Sequence, residues 1–227
     1  MHDTIAHLSE ENPTAGFLIL VGPLLESART RLRSALEPLA GRMPIDIDRT
    51  TEQVIADVAR RALFSIERTL VLELHIAKLE GRLEGDTSEA RFEHFVRSLA
   101  DPEEAAIVLS RYPVLARRLV ESIDDAVTAS AEFAQRLVED WPTIRGSLFA
   151  GADPGLLTEV APAGDPHRRG RRVVIATFES GARLVYKPRS LDVDVHFQQF
   201  LAFLNQRSEG PQFRTCLLYT SPSPRDS

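Results

Sequence analysis

Between residues 16 and 149 apolar side chains return at intervals of three and four, with few strand-like alternations. That repeat belongs to helices buried along one face, so this region is predicted to be helical nearly throughout. One or two long helices are predicted over 50–83, with Val54, Val58, Ala62 and Ser65 tracing a face that passes into the dense stretch LVLELHIAKL. The density predicts burial on more than one side. In DTSEARFEHFVRSLA, Asp86 stands three residues before Glu89, a capping-box spacing, and Phe92, Phe95 and Leu99 then share a face. DPEEAAIVLSRY offers Asp101 as N-cap, Pro102 at the first helical position and two glutamates at the positive end of the helix dipole. Pro113 opens a further helix through Leu115, Leu119, Ile123 and Val127 towards Phe133, Leu137 and Trp141, and Pro142 is expected to end it.

The pattern changes after residue 150. Residues 151–164, rich in Gly, Pro and Ala, read as a loop or boundary. RVVIATFES then carries β-branched and aromatic residues, Ser180-Gly181 supplies a tight turn, and alternation resumes over 182–186, which together predict a hairpin. Pro188 removes a ladder donor and closes the second strand after Lys187. A last helix follows, with Phe197, Phe200, Leu201 and Leu204 on one face until Gly210-Pro211.

Composition narrows the partners. The 227 residues carry a net charge of −6, which disfavours a nucleic-acid surface; only 168–172 concentrates positive charge. The longest apolar run, 17–25, is broken by Gly22-Pro23 and is far shorter than the ~20 residues of a spanning helix. The N-terminus has neither a basic start nor an apolar signal core, so a cytoplasmic location is the default expectation. Each histidine stands alone and Cys216 is the single cysteine, so no zinc or other metal site is assigned; Glu121, Asp124 and Asp125 read as a solvated face.

Two readings remain open for GDPHRRG and the lysine that follows it. Alternation sets Lys187 on the same face as Val185, where a lysine can simply snorkel to water. Alternatively, a strand lysine beside a glycine-containing loop neutralises nucleotide phosphate, as in kinase-like folds. Gly164 and Gly170 would let backbone amides approach phosphate oxygens, although the loop is neither a Walker A sequence nor GxGxxG.

GDPHRRGRRVVIATFESGARLVYKPRSL, together with RTLVLELHIAKLEGRLEGDTSEARFEHF and RYPVLARRL upstream, resembles the N-terminal dehydratase domain of class II (LanM-type) lanthipeptide synthetases over most of residues 50–207. The resemblance implies an α+β, predominantly α-helical fold: a helical region over 1–150, then over 151–215 the first β-hairpin and helix of a truncated kinase-like, lipid-kinase-like N-lobe. It implies an enzyme that uses ATP and Mg2+ to phosphorylate Ser and Thr of a precursor peptide, leader plus core, and then eliminates phosphate to give dehydroamino acids. Zinc would belong only to a separate cyclase domain. Lys187 matches the phosphate-contacting lysine of the YKPR element, Asp165 and His167 match the GDxH positions near the nucleotide, and Arg189 supports the same site.

The family places its catalytic-loop and magnesium-binding carboxylates further downstream. The chain as written is therefore expected to be an inactive piece of an active enzyme, with no catalytic residue of its own. Its end, CLLYTSPSPRDS, resembles a reading-frame translation of a transposase sequencing adapter over ten consecutive residues, LLYTSPSPRD. Residues 216–227 are accordingly set aside as artefact, and the natural chain is expected to continue past Thr215. Two other readings are a non-enzymatic helical peptide-binding module and a kinase-like phosphotransferase unrelated to lanthipeptides. The precursor's identity, its docking site and the oligomeric state are not legible in the sequence.

Overall fold

The computed structural model describes residues 12–167, 169–207, 210 and 212–219, with Pro166 and His167 described by their backbone alone. A 3-10 helix, Pro13–Val21, leads into α1 (Gly22–Leu36), followed by α2 (Ile47–Leu79), α3 (Ser88–Ser98), α4 (Pro102–Arg111) and α5 (Pro113–Leu148). Three strands come next, β1 (Leu157–His167), β2 (Arg171–Phe178) and β3 (Arg183–Tyr186), and then α6 (Asp192–Arg207). The fold is α+β and predominantly helical, as the sequence predicts. The chain divides into two compact units, one holding residues up to 35 and 47–130, the other 36–46 and those from 131 onward. The helical stretch read over 1–150 thus contributes to both, with α5 shared between them.

In the first unit, the 3-10 helix begins on Asn12, whose side chain accepts from the Thr14 amide at 2.9 Å. It buries Phe17, Leu18 and Val21 completely, and Phe17 meets the rings of Phe92 and Phe95 on α3 at 5.4 and 6.0 Å. The buried face of α2 runs through Ile55, Val58, Ala62, Ile66, Leu70 and Ala77. It lies one residue aside from the face read from the sequence: Val58 and Ala62 belong to it, whereas Ser65 is exposed and Val54 is half-buried. The dense stretch is buried on one side only, since Leu72 and Leu79 are exposed. Its buried side carries a carboxylate instead, Glu73, 2 % exposed, which accepts from the Tyr112 hydroxyl and the Arg111 guanidinium, each at 2.8 Å. A charge can be buried there because both acceptor oxygens have donors.

Helix starts follow local chemistry. Asp101 caps α4, accepting from the Glu103 amide at 2.8 Å with Pro102 at the first position. For α3 the cap is Thr87, whose Oγ1 accepts from Ala90 at 3.1 Å, and not Asp86 as the capping-box spacing predicts. Thr87 wins because its oxygen stands three residues before that free amide, the reach an N-cap requires.

The second unit is built on the later half of α5. Pro142 does not end the helix, which runs on to Leu148. Proline removes one internal bond at a cost of about 3 kcal/mol, and burial of Trp141 and Ile144 on either side of it offsets that loss. Trp141 stacks on Phe178 of β2 at 5.5 Å, and Phe149 meets Phe178 edge-on at 5.5 Å, joining helix and sheet.

The sheet has three antiparallel strands in the order β1-β2-β3, one more than the hairpin read from the sequence. The extra strand is β1, which occupies much of the stretch 151–164 read as loop. It is an edge strand, so Pro162, in register with Val174, costs little pairing. Where the chain enters β1, Gly155 has φ +76°, and a Cβ there would stand 2.6 Å from the Glu179 carboxylate. That carboxylate instead accepts from the Leu156 amide at 2.9 Å. The turn between β2 and β3 closes with Phe178 N–H to Ala182 O at 2.9 Å, over Gly181 at φ +80°.

Candidate functional site

Lys187 lies one residue beyond the Val174–Tyr186 pair, where the backbone leaves β3 ahead of Pro188. The chain then turns into α6, whose first turn carries Asp192 and Asp194, acids favoured at the positive end of a helix dipole. The Lys187 ammonium donates to Asp194 Oδ1 at 2.7 Å, and Arg189 Nη2 stands 3.2 Å from Oδ2 of the same carboxylate. The Lys187 and Asp194 side chains are 31 % and 22 % exposed, so the pair is partly shielded. The hydrogen bond from Lys187 holds the Asp194 carboxyl below the usual aspartate range, with the charges of Lys187 and Arg189 acting in the same direction.

Behind the lysine a second network fixes β3. Arg136 of α5 donates to the Tyr186 hydroxyl at 3.2 Å, and Glu132 takes Arg136 at 2.6 Å and Arg171 of β2 at 2.8 Å. The Tyr186 ring packs 5.2 Å from Phe133, and burial there pushes its phenol above the ordinary tyrosine range. Lys187 and Asp194 line a cavity of about 600 Å³ whose wall also includes Arg136, Asp140, Arg183 and Gln198.

The sequence-predicted residues fall into two groups. Lys187 and Arg189 are brought together, on Asp194. Gly164, at φ +76°, Asp165 and Gly170, at φ +72°, belong to the β1–β2 turn region, where Gly164 and Asp165 are exposed. His167 is paired with Arg171 in the backbone register, and its side chain lies outside the described residues. Among the described residues, none of that turn lines the cavity beside Lys187. The register places turn and lysine at the same end of the sheet, since Pro162, Val174 and Tyr186 stand in line across it. β2 lies between, a separation of roughly 10 Å for two strand spacings. The lysine is thus held by the helix acid, and not directly beneath the turn.

Asp194 is the residue that sequence reasoning missed. Its signal was an acid in the first turn of a helix, seven residues after the lysine, which reads equally well as dipole complementation. Among the described residues no cluster of three or more His, Cys, Asp or Glu side chains is arranged to hold a metal ion, and no helix is long and apolar enough to cross a membrane.

A domain of unknown function, DUF4135, matches residues 112–222. No curated protein matches the chain.

Proposed function

We propose that the second unit is the nucleotide-gripping part of a lanthipeptide dehydratase of the LanM type, which phosphorylates Ser and Thr of a precursor peptide with ATP and eliminates phosphate. The observation that carries the reading is the Lys187–Asp194 pair at 2.7 Å. A lysine at the end of the third strand, fixed by an acid on the next helix after a glycine-containing turn between the first two strands, follows the order of parts in a kinase-like N-lobe. The alternative in which Lys187 merely snorkels to water gives no reason for so close a partner on another element.

The residues fit a triphosphate. Asp194 accepts one of the three ammonium hydrogens, which leaves donors for phosphate oxygens. At Gly164 nothing among the described residues stands within 4 Å of the place a Cβ would take, so none of them obstructs approach to the backbone there. ATP with Mg2+ would supply the phosphoryl group and part of the charge neutralisation. Lys187 neutralises phosphate charge, Asp194 holds the lysine in one rotamer, Arg189 adds a second cation, and Arg136 holds β3 through Tyr186. A loose phosphoryl-transfer transition state gains most from such positioning and neutralisation. The span matched by the domain of unknown function includes both RYP-proximal and YKPR residues, which agrees with this reading without specifying a reaction.

The test is Mg-ATP binding by the full chain, measured calorimetrically. The native chain binds saturably, Lys187→Met weakens binding at least about tenfold through loss of a charge-assisted hydrogen bond, and Asp194→Asn weakens it less. Equal affinity in the native and Lys187→Met chains, or no saturable binding at all, would remove the nucleotide site.

A further inference from the structure

α6 has two faces of opposite character. Asp194, Gln198, Leu201 and Asn205 lie on its half-buried side. On the other side Val193, Phe197, Phe200 and Phe203 recur at helical spacing and are 74, 55, 54 and 45 % exposed. At about 150–250 Å² per ring, these side chains leave roughly 400 Å² of apolar surface in one stripe, the size of patch that marks an interaction site. The ends of the stripe carry opposite charges, with Asp192 in the first turn and Arg207 in the last, both exposed. The Arg207 guanidinium lies 4.1 Å over the Phe203 ring, which keeps it on this face. Asp192 accepts from the Ser190 hydroxyl through Oδ2, which leaves Oδ1 for a cation.

The geometry points to this stripe as a self-association surface, on which α6 of a second copy of the chain packs antiparallel about a two-fold axis at Phe200. The stripe is self-complementary in that direction only. Phe200 stands midway between Val193 and Arg207, so an antiparallel copy sets Phe200 against Phe200, Phe197 against Phe203 and Arg207 beside Asp192. Both charge pairs are then opposite in sign, and each acidic first turn meets the negative end of the other helix only where Arg207 offsets it. A parallel copy would align Asp192 with Asp192 and Arg207 with Arg207, which repel. Two such stripes bury roughly 800 Å² of apolar surface, short of the 1,200 Å² or more of a stable complex, so the dimer is weak and forms only in concentrated solution. The inference does not rest on the nucleotide reading, because Lys187 and its partner Asp194 belong to the other side of the helix.

The experiment is sedimentation equilibrium of the full chain with reductant present, so that the exposed Cys216 cannot cross-link copies. The native chain follows a monomer–dimer equilibrium with Kd on the order of 100 µM, and the monomer prevails below about 10 µM, where unfolding is measured. Phe200→Asp, which faces its own image across the axis, weakens the dimer at least about thirtyfold. Asp192→Lys and Arg207→Glu each weaken it about tenfold, since each turns two opposite pairs into like ones. An equimolar mixture of those two variants returns to within about threefold of the native affinity, because in the mixed dimer both pairs are again opposite. A monomer at every concentration leaves the face to some other partner and overturns the inference. So does a mass that climbs past the dimer, native affinity in Phe200→Asp, or a mixture that associates no better than its components.

Discussion

The 3-10 helix and α2 of the first unit each bury apolar residues, and α6 of the second buries none. Phe17, Leu18, Val21 and Ile66 have no exposed surface, whereas α6 buries no residue and shows Phe197, Phe200 and Val193 at 55, 54 and 74 %. Their polar groups differ in the same sense. Glu73 in the first unit is sealed between Tyr112 and Arg111 with both oxygens used, while Lys187 and Asp194 in the second stay partly open beside a cavity. A satisfied, inaccessible carboxylate serves stability. An ion pair that solvent can reach is accessible to a ligand, and the proposed nucleotide site falls on that pair.

The sharpest way to break this contrast is to empty a position in each unit and measure urea unfolding. Phe17→Ala is expected to cost about 3–5 kcal/mol, because a fully buried ring leaves a cavity among Phe92 and Phe95. Phe200→Ala, by contrast, should change stability by less than about 0.5 kcal/mol. If the two costs came out alike, the division between the packed face around Phe17 and the open face of α6 would be lost. An intermediate effect sharpens it within the first unit: Thr87→Ala costs about 1 kcal/mol for a lost N-cap, and Asp86→Ala costs nothing measurable.

The smallest effect is one of pH. The Asp194 carboxyl is held below the ordinary aspartate value of 3.8, chiefly by the Lys187 hydrogen bond. Its contribution to stability is therefore present above that value and is lost as pH falls through the lowered folded-state value. Carboxyl NMR should show Asp194 titrating below 3.8 in the native chain and moving upward in Lys187→Met. An unmoved midpoint would mean that the lysine is not the cause.

What the sequence revealed depended on how local the cause was. Asp101, Pro102 and the β2–β3 turn were legible because each acts within a few residues of itself. Pro142 misled because the burial that carries α5 through it lies in distant partners, Phe178 among them. β1 was hidden by composition: Gly and Pro within 151–164 read as loop, yet an edge strand tolerates proline because its outward side needs no donor. On α2 the apolar density was real, but Glu73 took a buried position and left Leu72 and Leu79 outside, which no periodicity in hydrophobicity reports. Of the candidate site, Lys187 and Arg189 were visible as residue types. Their shared acid was not, since pairing across a strand–helix turn has no fixed spacing.

That shared acid has an electrostatic consequence. One carboxylate divided between an ammonium and a guanidinium leaves the trio with an excess of one positive charge, so it attracts counterions of any kind. The attraction decays over about 8 Å at physiological ionic strength. Sulfate or phosphate buffers would therefore compete with the proposed nucleotide for this spot, and Mg-ATP affinities measured in them would fall below those in a buffer of bulky, weakly coordinating anions.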